Sequence, residues 1–355
     1  MKGGREMPAN GSQDPSVGPS ANLEETGRRS SRATIGLLAS THPAALAGGL
    51  GCCLVLVMAL TAPLLPLPNH LEGTMDEQYL APSPVFREVA AAPSDAAGAG
   101  VGTRLRRALF GELELWNLMG TDGKGRDLCS RIVWGSRVSL TVAIVAALVS
   151  LVIGVLYGAL AGFFGGLVDE ALMRLVDVLY AVPFIFVVIY MVSILQEYDD
   201  SLRSRGISRE VVLYVLIGAI YWLTMARVVR GQVLSLKKRE FVCAAEAVGA
   251  GRLRIIVRHI LPNTVGIVIV YLTLTIPRIM LFEAFLSFLG IGVEPPDVSW
   301  GLLASDACAV MTPVNVCWWL AFFPGAVLAV TLLCINLLGD GIRDLLDPRT
   351  SGRGE

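Results

Sequence analysis

Long runs without charge, separated by shorter polar stretches, set the pattern of this chain. No Asp, Glu, Lys or Arg occurs between His42 and Glu72, and none between Arg137 and Asp169. A helix that crosses ~30 Å of hydrocarbon needs roughly 20 mainly apolar residues. Six segments meet that requirement: Ala44–Leu65, a stretch within Val138–Val168, Val178–Leu195, Val211–Ala226, Thr264–Leu286 and Trp319–Leu338. The fourth is short, and the fifth carries Arg278 and Glu283. Pro183 near the start of the third and Pro277 in the fifth predict kinks, because proline removes a backbone donor and crowds the preceding turn. Gly154, Gly158 and Gly162 recur every four residues in the second span. Such a stripe predicts a face where another helix approaches closely, since packing drives helix association in lipid.

Between the spans the pattern changes. Residues 1–43 are rich in Ser, Gly, Arg and Pro without helical periodicity, and read as a disordered tail. Residues 66–137 form the first outer loop, with a small-residue linker at Ala90–Gly102 and a surface helix expected over Arg104–Leu118. The spans and the short loops between them occupy 138–340, and 341–355 reads as a second tail. Composition agrees: 54% of residues are hydrophobic and 17% charged, against ~45–50% and ~25% in soluble chains, and the mean hydropathy is +0.62. The expected fold class is an all-α integral membrane protein. A signal peptide is the weaker reading of the first span, because 43 residues precede it and no small-residue cleavage site closes it.

Charge supplies an orientation. Arg227, Arg230, Lys237, Lys238, Arg239, Arg252, Arg254 and Arg258 lie between spans four and five, whereas Glu294–Cys317 contains no Lys or Arg. Basic short loops stay in the cytoplasm, so this segment and both termini are expected inside. Arg203, Arg205 and Arg209 against Arg174 point the other way but are outnumbered. A net charge of -1 argues against a nucleic-acid partner.

No catalytic chemistry stands out. The only lysines are Lys2, Lys124, Lys237 and Lys238, and none closes a phosphate-binding loop. His42, His70 and His259 are scattered, so no metal site is expected. The seven cysteines sit mostly in apolar runs, and Cys308 and Cys317 read as two unpaired thiols rather than a disulfide.

The most informative polar stretch is Glu240–Asn263. Phe241, Ala244, Ala245 and Val248 fall at i, i+3, i+4 and i+7 and form an apolar stripe on a helix. Gly249 or Gly251 can end that helix. A second short helix is expected, with Leu253, Ile256 and Ile260 inward and Pro262 stopping it. Such a hairpin either docks in a groove of another protein or lies on the bilayer with its arginines at headgroups, and the spacing alone leaves both open.

Ala244, Ala245 and Gly249 followed by Leu261 and Pro262 resemble the "EAA" loop of permease subunits of binding-protein-dependent ABC importers, with Cys243 where that family usually has Glu. Further stretches resemble the second permease type of the dipeptide/oligopeptide importers. The first comprises Gly120, Thr121, Asp122, Gly125, Arg126, Asp127, Ser130, Arg131, Gly135, Arg137, Ser139 and Leu140. Asp169, Met173, Arg174, Asp177 and Pro183 follow, then Glu283–Gly292 with Pro295, Pro296 and Ser299–Gly301. Phe323–Gly325 and Leu338–Pro348 complete a likeness over roughly 118–350.

This resemblance implies an importer permease of the type I fold with a coupling helix, in which Glu240, Phe241, Ala244, Ala245, Val248, Gly249, Leu261 and Pro262 engage an ATPase. It also implies a second permease, two cytoplasmic ATPases that bind the ATP, an extracytoplasmic peptide-binding protein, and placement in the inner membrane. The chain itself would need no cofactor. Nickel chelates or other small cargo are the alternative within the class. A self-sufficient secondary transporter usually shows internal repeats, which are not found, and a bare membrane anchor leaves the hairpin unexplained. Arg278 and Glu283, five residues apart, cannot easily satisfy each other. Each is therefore expected to face the central path or a polar partner on another subunit, unless the helix ends near Leu281 and leaves Glu283 at the outer interface.

Overall fold

The computed structural model describes residues 43–88, 101–111, 113–206, 208–312 and 316–346. The tail at 1–42, most of the Ala/Gly-rich linker and residues 347–355 lie outside them. Helix α1 (Pro43–Thr61) runs into a short 3-10 turn, giving 22 apolar residues. In the loop that follows, β1 (Val85–Glu88), α2 (Val101–Phe110) and β2 (Leu113–Trp116) appear in order. The strands pair antiparallel, Val85 opposite Trp116 and Glu88 opposite Leu113. A single helix over Arg104–Leu118 is thus corrected: α2 stops at Gly111, whose φ of +65° suits glycine, and the alternating segment after it pairs as a strand.

Helix α3 (Leu128–Phe164) starts ten residues before the expected span. Asp127 causes this, its carboxylate accepting the Ser130 N–H at 2.7 Å and supplying one of the orphan donors with an acceptor. Gly165, with φ +66°, ends the helix. The glycine stripe of α3 lies against α7 (Arg209–Leu236). A Cβ at Gly158 would stand 2.3 Å from the Ala226 carbonyl oxygen, so only glycine lets the two backbones approach. Helix α7 also extends beyond the expected end at Ala226, because its arginines are paired and remain helical.

The third expected span is not one helix. Helices α4 (Gly166–Ala181) and α5 (Phe184–Glu197) meet at an angle of 81°. Val182 is extended (φ -81°, ψ 127°), as a residue before proline prefers, and Pro183 cannot donate into the preceding turn. A short α6 (Asp199–Ser204) follows. Counted with this bent pair, up to six segments among the described residues are long and apolar enough to span a membrane, five of them as continuous helices. The protein is an all-α, multi-pass membrane protein.

Helices α8 (Glu240–Ala247) and α9 (Arg252–Ile255) form the hairpin. Pro262 does not stop the chain: α9 passes through a π-turn (Ile256–Ile260) into α10 (Leu261–Phe288), 37 helical residues in all. Pro262 sits in the first turn of α10, where a missing N–H costs little. The wide turn breaks the 3.6-residue period, so Ile255, Ile256 and Ile260 are buried while Leu253 is 73% exposed. That replaces the expected inward set. Helix α11 (Trp300–Val310) is short and apolar, and α12 (Trp318–Leu346) is the last span, continuing six residues into the expected tail. Helix α1 lies on α12 through Gly48 and Gly51, where a Cβ would meet Cys334 and Leu338.

The main core joins α3, α7, α10 and α11 around Ile132, Ile217, Met280 and Trp300. A second cluster, Phe163, Val229, Val233, Val242, Ile256 and Ile260, lies at the hairpin end.

Candidate functional site

The hairpin is fixed to the bundle through a few side chains. Val242 is fully buried and Ala245 half-buried, both against the second cluster with Val233, Ile255 and Ile260. Phe241 (39% exposed), Ala244 and Val248 (89% exposed) point away from it, and Leu253 joins them. The expected stripe of four is therefore split, with Ala245 turned toward the chain's own bundle. Glu240 is exposed in the first turn of α8, where an acidic group favours the helix dipole. Gly249 turns the chain with φ +84°, its N–H bonded to the Glu246 carbonyl at 2.9 Å. Nothing crowds its Cβ position, so glycine is needed there for backbone reasons alone. Leu261 is half-buried beside the cluster and Pro262 is exposed. Cys243 is an exposed thiol, and all seven cysteines are free, Cys308 and Cys317 included.

Arg278 and Glu283 have opposite environments. Glu283 is 2% exposed. Ser287 Oγ donates to its Oε1 at 2.7 Å, Ser139 Oγ approaches Oε2 at 3.5 Å, and Ser299 reaches Ser287 at 3.3 Å. The Trp300 N–H donates to Ser139 at 3.2 Å, so the cluster ties α3, α10 and the start of α11 together. Glu283 is thus satisfied inside its own chain, which corrects both its expected places: the path or second subunit, and the outer interface. Arg278 is exposed, and no salt bridge to it occurs among the described residues.

At the end opposite the hairpin, charged residues interlock. Arg131, 2% exposed, reaches Asp122 at 2.6 Å and Asp306 at 3.2 Å. Asp122 also accepts from Arg126 and from the backbone N–H of Lys124. Burial raises the Asp122 carboxyl, but Arg131 and the bonds from Arg126 outweigh it and hold it below the usual carboxylate range. For Asp127 burial wins over the bonds from Ser130 and Asn117 and pushes it up to about 6.

The sequence reading missed a polar run on one face of α7. Tyr221 donates to the Arg278 carbonyl at 3.1 Å, Thr224 bonds Tyr180, and Arg227 pairs with Asp177 at 2.8 Å. The Arg227 guanidinium also stacks 4.1 Å over the Tyr180 ring. Ending the fourth span at the first arginine hid this run, although Asp177 and Arg227 were both visible as charges next to apolar sequence.

The family described as "Binding-protein-dependent transport system inner membrane component" matches residues 154–352. The oligopeptide transport system permease protein OppC of Escherichia coli (strain K12) is 47% identical over 238 residues, covering 67% of this chain and 74% of that protein. OppC of Haemophilus influenzae is 45% identical over 237 residues, 67% of this chain and 72% of its own. The dipeptide transport system permease protein DppC of Bacillus subtilis is 38% identical over 230 residues, 65% and 68% of the two chains. The matched region contains the bent pair, the hairpin and the last three long helices, and this chain belongs to the family of binding-protein-dependent transport system inner membrane components.

Proposed function

We propose that the chain is one permease subunit of an ATP-driven importer of dipeptides or oligopeptides. A second, related permease completes the path, a binding protein delivers the cargo, and two ATPase subunits bind and hydrolyse the ATP. The chain itself carries no cofactor. It lies in the inner membrane with both termini and the hairpin in the cytoplasm, where the basic residues around the hairpin favour retention. Peptide cargo rests on the transport named for its relatives.

One observation supports coupling most directly. Phe241, Ala244 and Val248 are exposed side by side on a helix that is itself anchored through Val242. A small-residue surface flanked by an aromatic suits close docking into a groove, and anchoring by Val242 and Ala245 lets a push on α8 reach α7 and α10. Arg278 faces either the path or a polar group of the second permease. Reconstitution tests the proposal: vesicles holding both permeases, the ATPases and the binding protein should accumulate labelled peptide only when ATP is supplied on the hairpin side. Accumulation without ATP would refute an ATP-driven importer. Cysteines introduced at Gly251 and Asp297 in a background lacking the native thiols should label from opposite sides.

A further inference from the structure

Arg278 lies ten residues before the end of α10 at Phe288, or ~15 Å along the axis at 1.5 Å per residue. Taking Phe288 as the outer edge of a ~30 Å hydrocarbon layer, that is about half its thickness and puts the guanidinium near the midplane. Tyr221, near the middle of α7, donates to the Arg278 carbonyl and therefore shares that depth. From Tyr221 the polar run descends toward the hairpin by six residues, ~9 Å, through Thr224 with Tyr180 to the Arg227–Asp177 pair. Arg227 and Asp177 are 44% and 60% exposed, and Arg278 is exposed as well. A charged surface of this kind is costly against lipid tails, and intramembrane charges face a bundle interior or water.

A single counter-ion on the second permease would account for Arg278 alone. Tyr180, Thr224 and the already neutral Arg227–Asp177 pair would still be left in hydrocarbon. A water-filled path accounts for the whole run, which extends along the membrane normal as a path must. Building on the peptide-importer reading above, we propose that this run lines the path and that Arg278 is the seat for a carboxylate of the passing peptide. The guanidinium matches a carboxylate with two parallel N–H donors. Every unmodified peptide brings one carboxylate at its C-terminus. The neutral pair further in adds no second net charge, so the cargo is held at one point and can leave, as conduction requires.

The test uses the complete reconstituted importer and a peptide in two forms, free acid and C-terminal amide, with uptake normalised to the amount bound by the binding protein. Wild type should move the free acid faster than the amide. Arg278→Gln should lower free-acid uptake about tenfold or more and bring the ratio of the two forms near one, while Arg278→Lys keeps part of the preference. An unchanged ratio in Arg278→Gln overturns the assignment, as does loss of the second permease on purification, which would make Arg278 a subunit contact. No ATP-driven uptake of either form by wild type would overturn the importer reading instead. A milder variant covers misfolding of the first: in a cysteine-free background, Thr224→Cys should react with a charged thiol reagent in the assembled importer and be protected by transported peptide. Failure to react in every nucleotide state overturns the path assignment.

Discussion

At the end of the bundle capped by β1 and β2, charged groups are buried and answered within the chain: Arg131 by Asp122 and Asp306, and Asp127 by two backbone N–H groups. Glu283, on the adjoining α10, is enclosed by serines in the same manner. At the hairpin end the situation is reversed. Val248 is 89% exposed and Leu253 73% exposed, and Phe241 and Ala244 stand beside them. Most of the buried charge at the first end is paired within the chain, although Arg131 Nε and Asn117 Oδ1 have no hydrogen-bond partner among the described residues. Apolar surface is open at both ends, at Met75 (74%) and Phe86 (73%) as well as at the hairpin, but at the hairpin it is gathered on one face of an anchored helix, the arrangement of a surface awaiting a partner.

The comparison breaks first at the charged end. Arg131→Leu would leave Asp122 buried with less of its counter-charge, and breaking a buried pair costs about 3–5 kcal/mol. A large drop in the melting temperature of the purified complex is expected, and a loss below ~1 kcal/mol would mean the cap is held by packing alone. At the hairpin end, Val242→Ala should cost about 1–3 kcal/mol from lost burial. Val248→Ser should stay within ~0.5 kcal/mol, as exposed substitutions do. Limited proteolysis of the hairpin reads the difference, and equal sensitivity of the two variants would erase the distinction between anchored and open faces.

Acidity sharpens the contrast within the cap. Asp127 titrates higher in the folded state than unfolded, at about 6, so its ionisation opposes folding and the penalty is removed as pH falls through that value. Asp122 titrates lower when folded, so its support is complete above the ordinary carboxylate range and is lost as pH falls through its depressed value. Melting temperature should therefore hold or rise by a few degrees from pH 7 to 5 and fall only below about 4. Asp127→Asn should remove the rise. A steady fall from pH 7 downward would contradict both assignments. A small change is also expected of Glu283→Gln, whose side-chain oxygen can still accept from Ser287. Stability within ~1 kcal/mol and near-normal uptake are predicted, and abolished uptake would return Glu283 to the transport path.

Several of these features were legible in the chain and others were not, for physical reasons. The spacing of Gly154, Gly158 and Gly162 gave away a close helix contact because only missing side chains permit it, and α7 fills that face. Phe241, Ala244 and Val248 were visible as a stripe, but periodicity could not separate Ala245, which sits at the edge between the outward and anchored faces. Pro183 marked a kink without revealing an 81° bend, since the angle depends on what α5 packs against. Glu283 was misread because, although Ser287 lies one helical turn away, Ser139 and Ser299 come from distant positions that no local pattern joins to it. The Arg131–Asp306 contact spans 175 positions and was invisible for the same reason.

The central proposal is that the open face of α8 is a docking surface for an ATPase subunit, and Ala244→Trp tests it most directly. Ala244 is exposed, so the indole should leave the fold and membrane insertion of the permease unchanged. Against a closely fitted partner it adds volume with no room, and overpacking costs ~1–3 kcal/mol. That weakens association about five- to a hundredfold at ~1.4 kcal/mol per decade. The measurement is the amount of ATPase that co-purifies with the variant permease, alongside ATP-driven peptide uptake. The expected result is normal permease in the membrane with the ATPases lost or loosely held and uptake abolished. Full retention of the ATPases with wild-type uptake would contradict it, and would leave α8 as a helix resting on lipid headgroups, where a tryptophan is welcome.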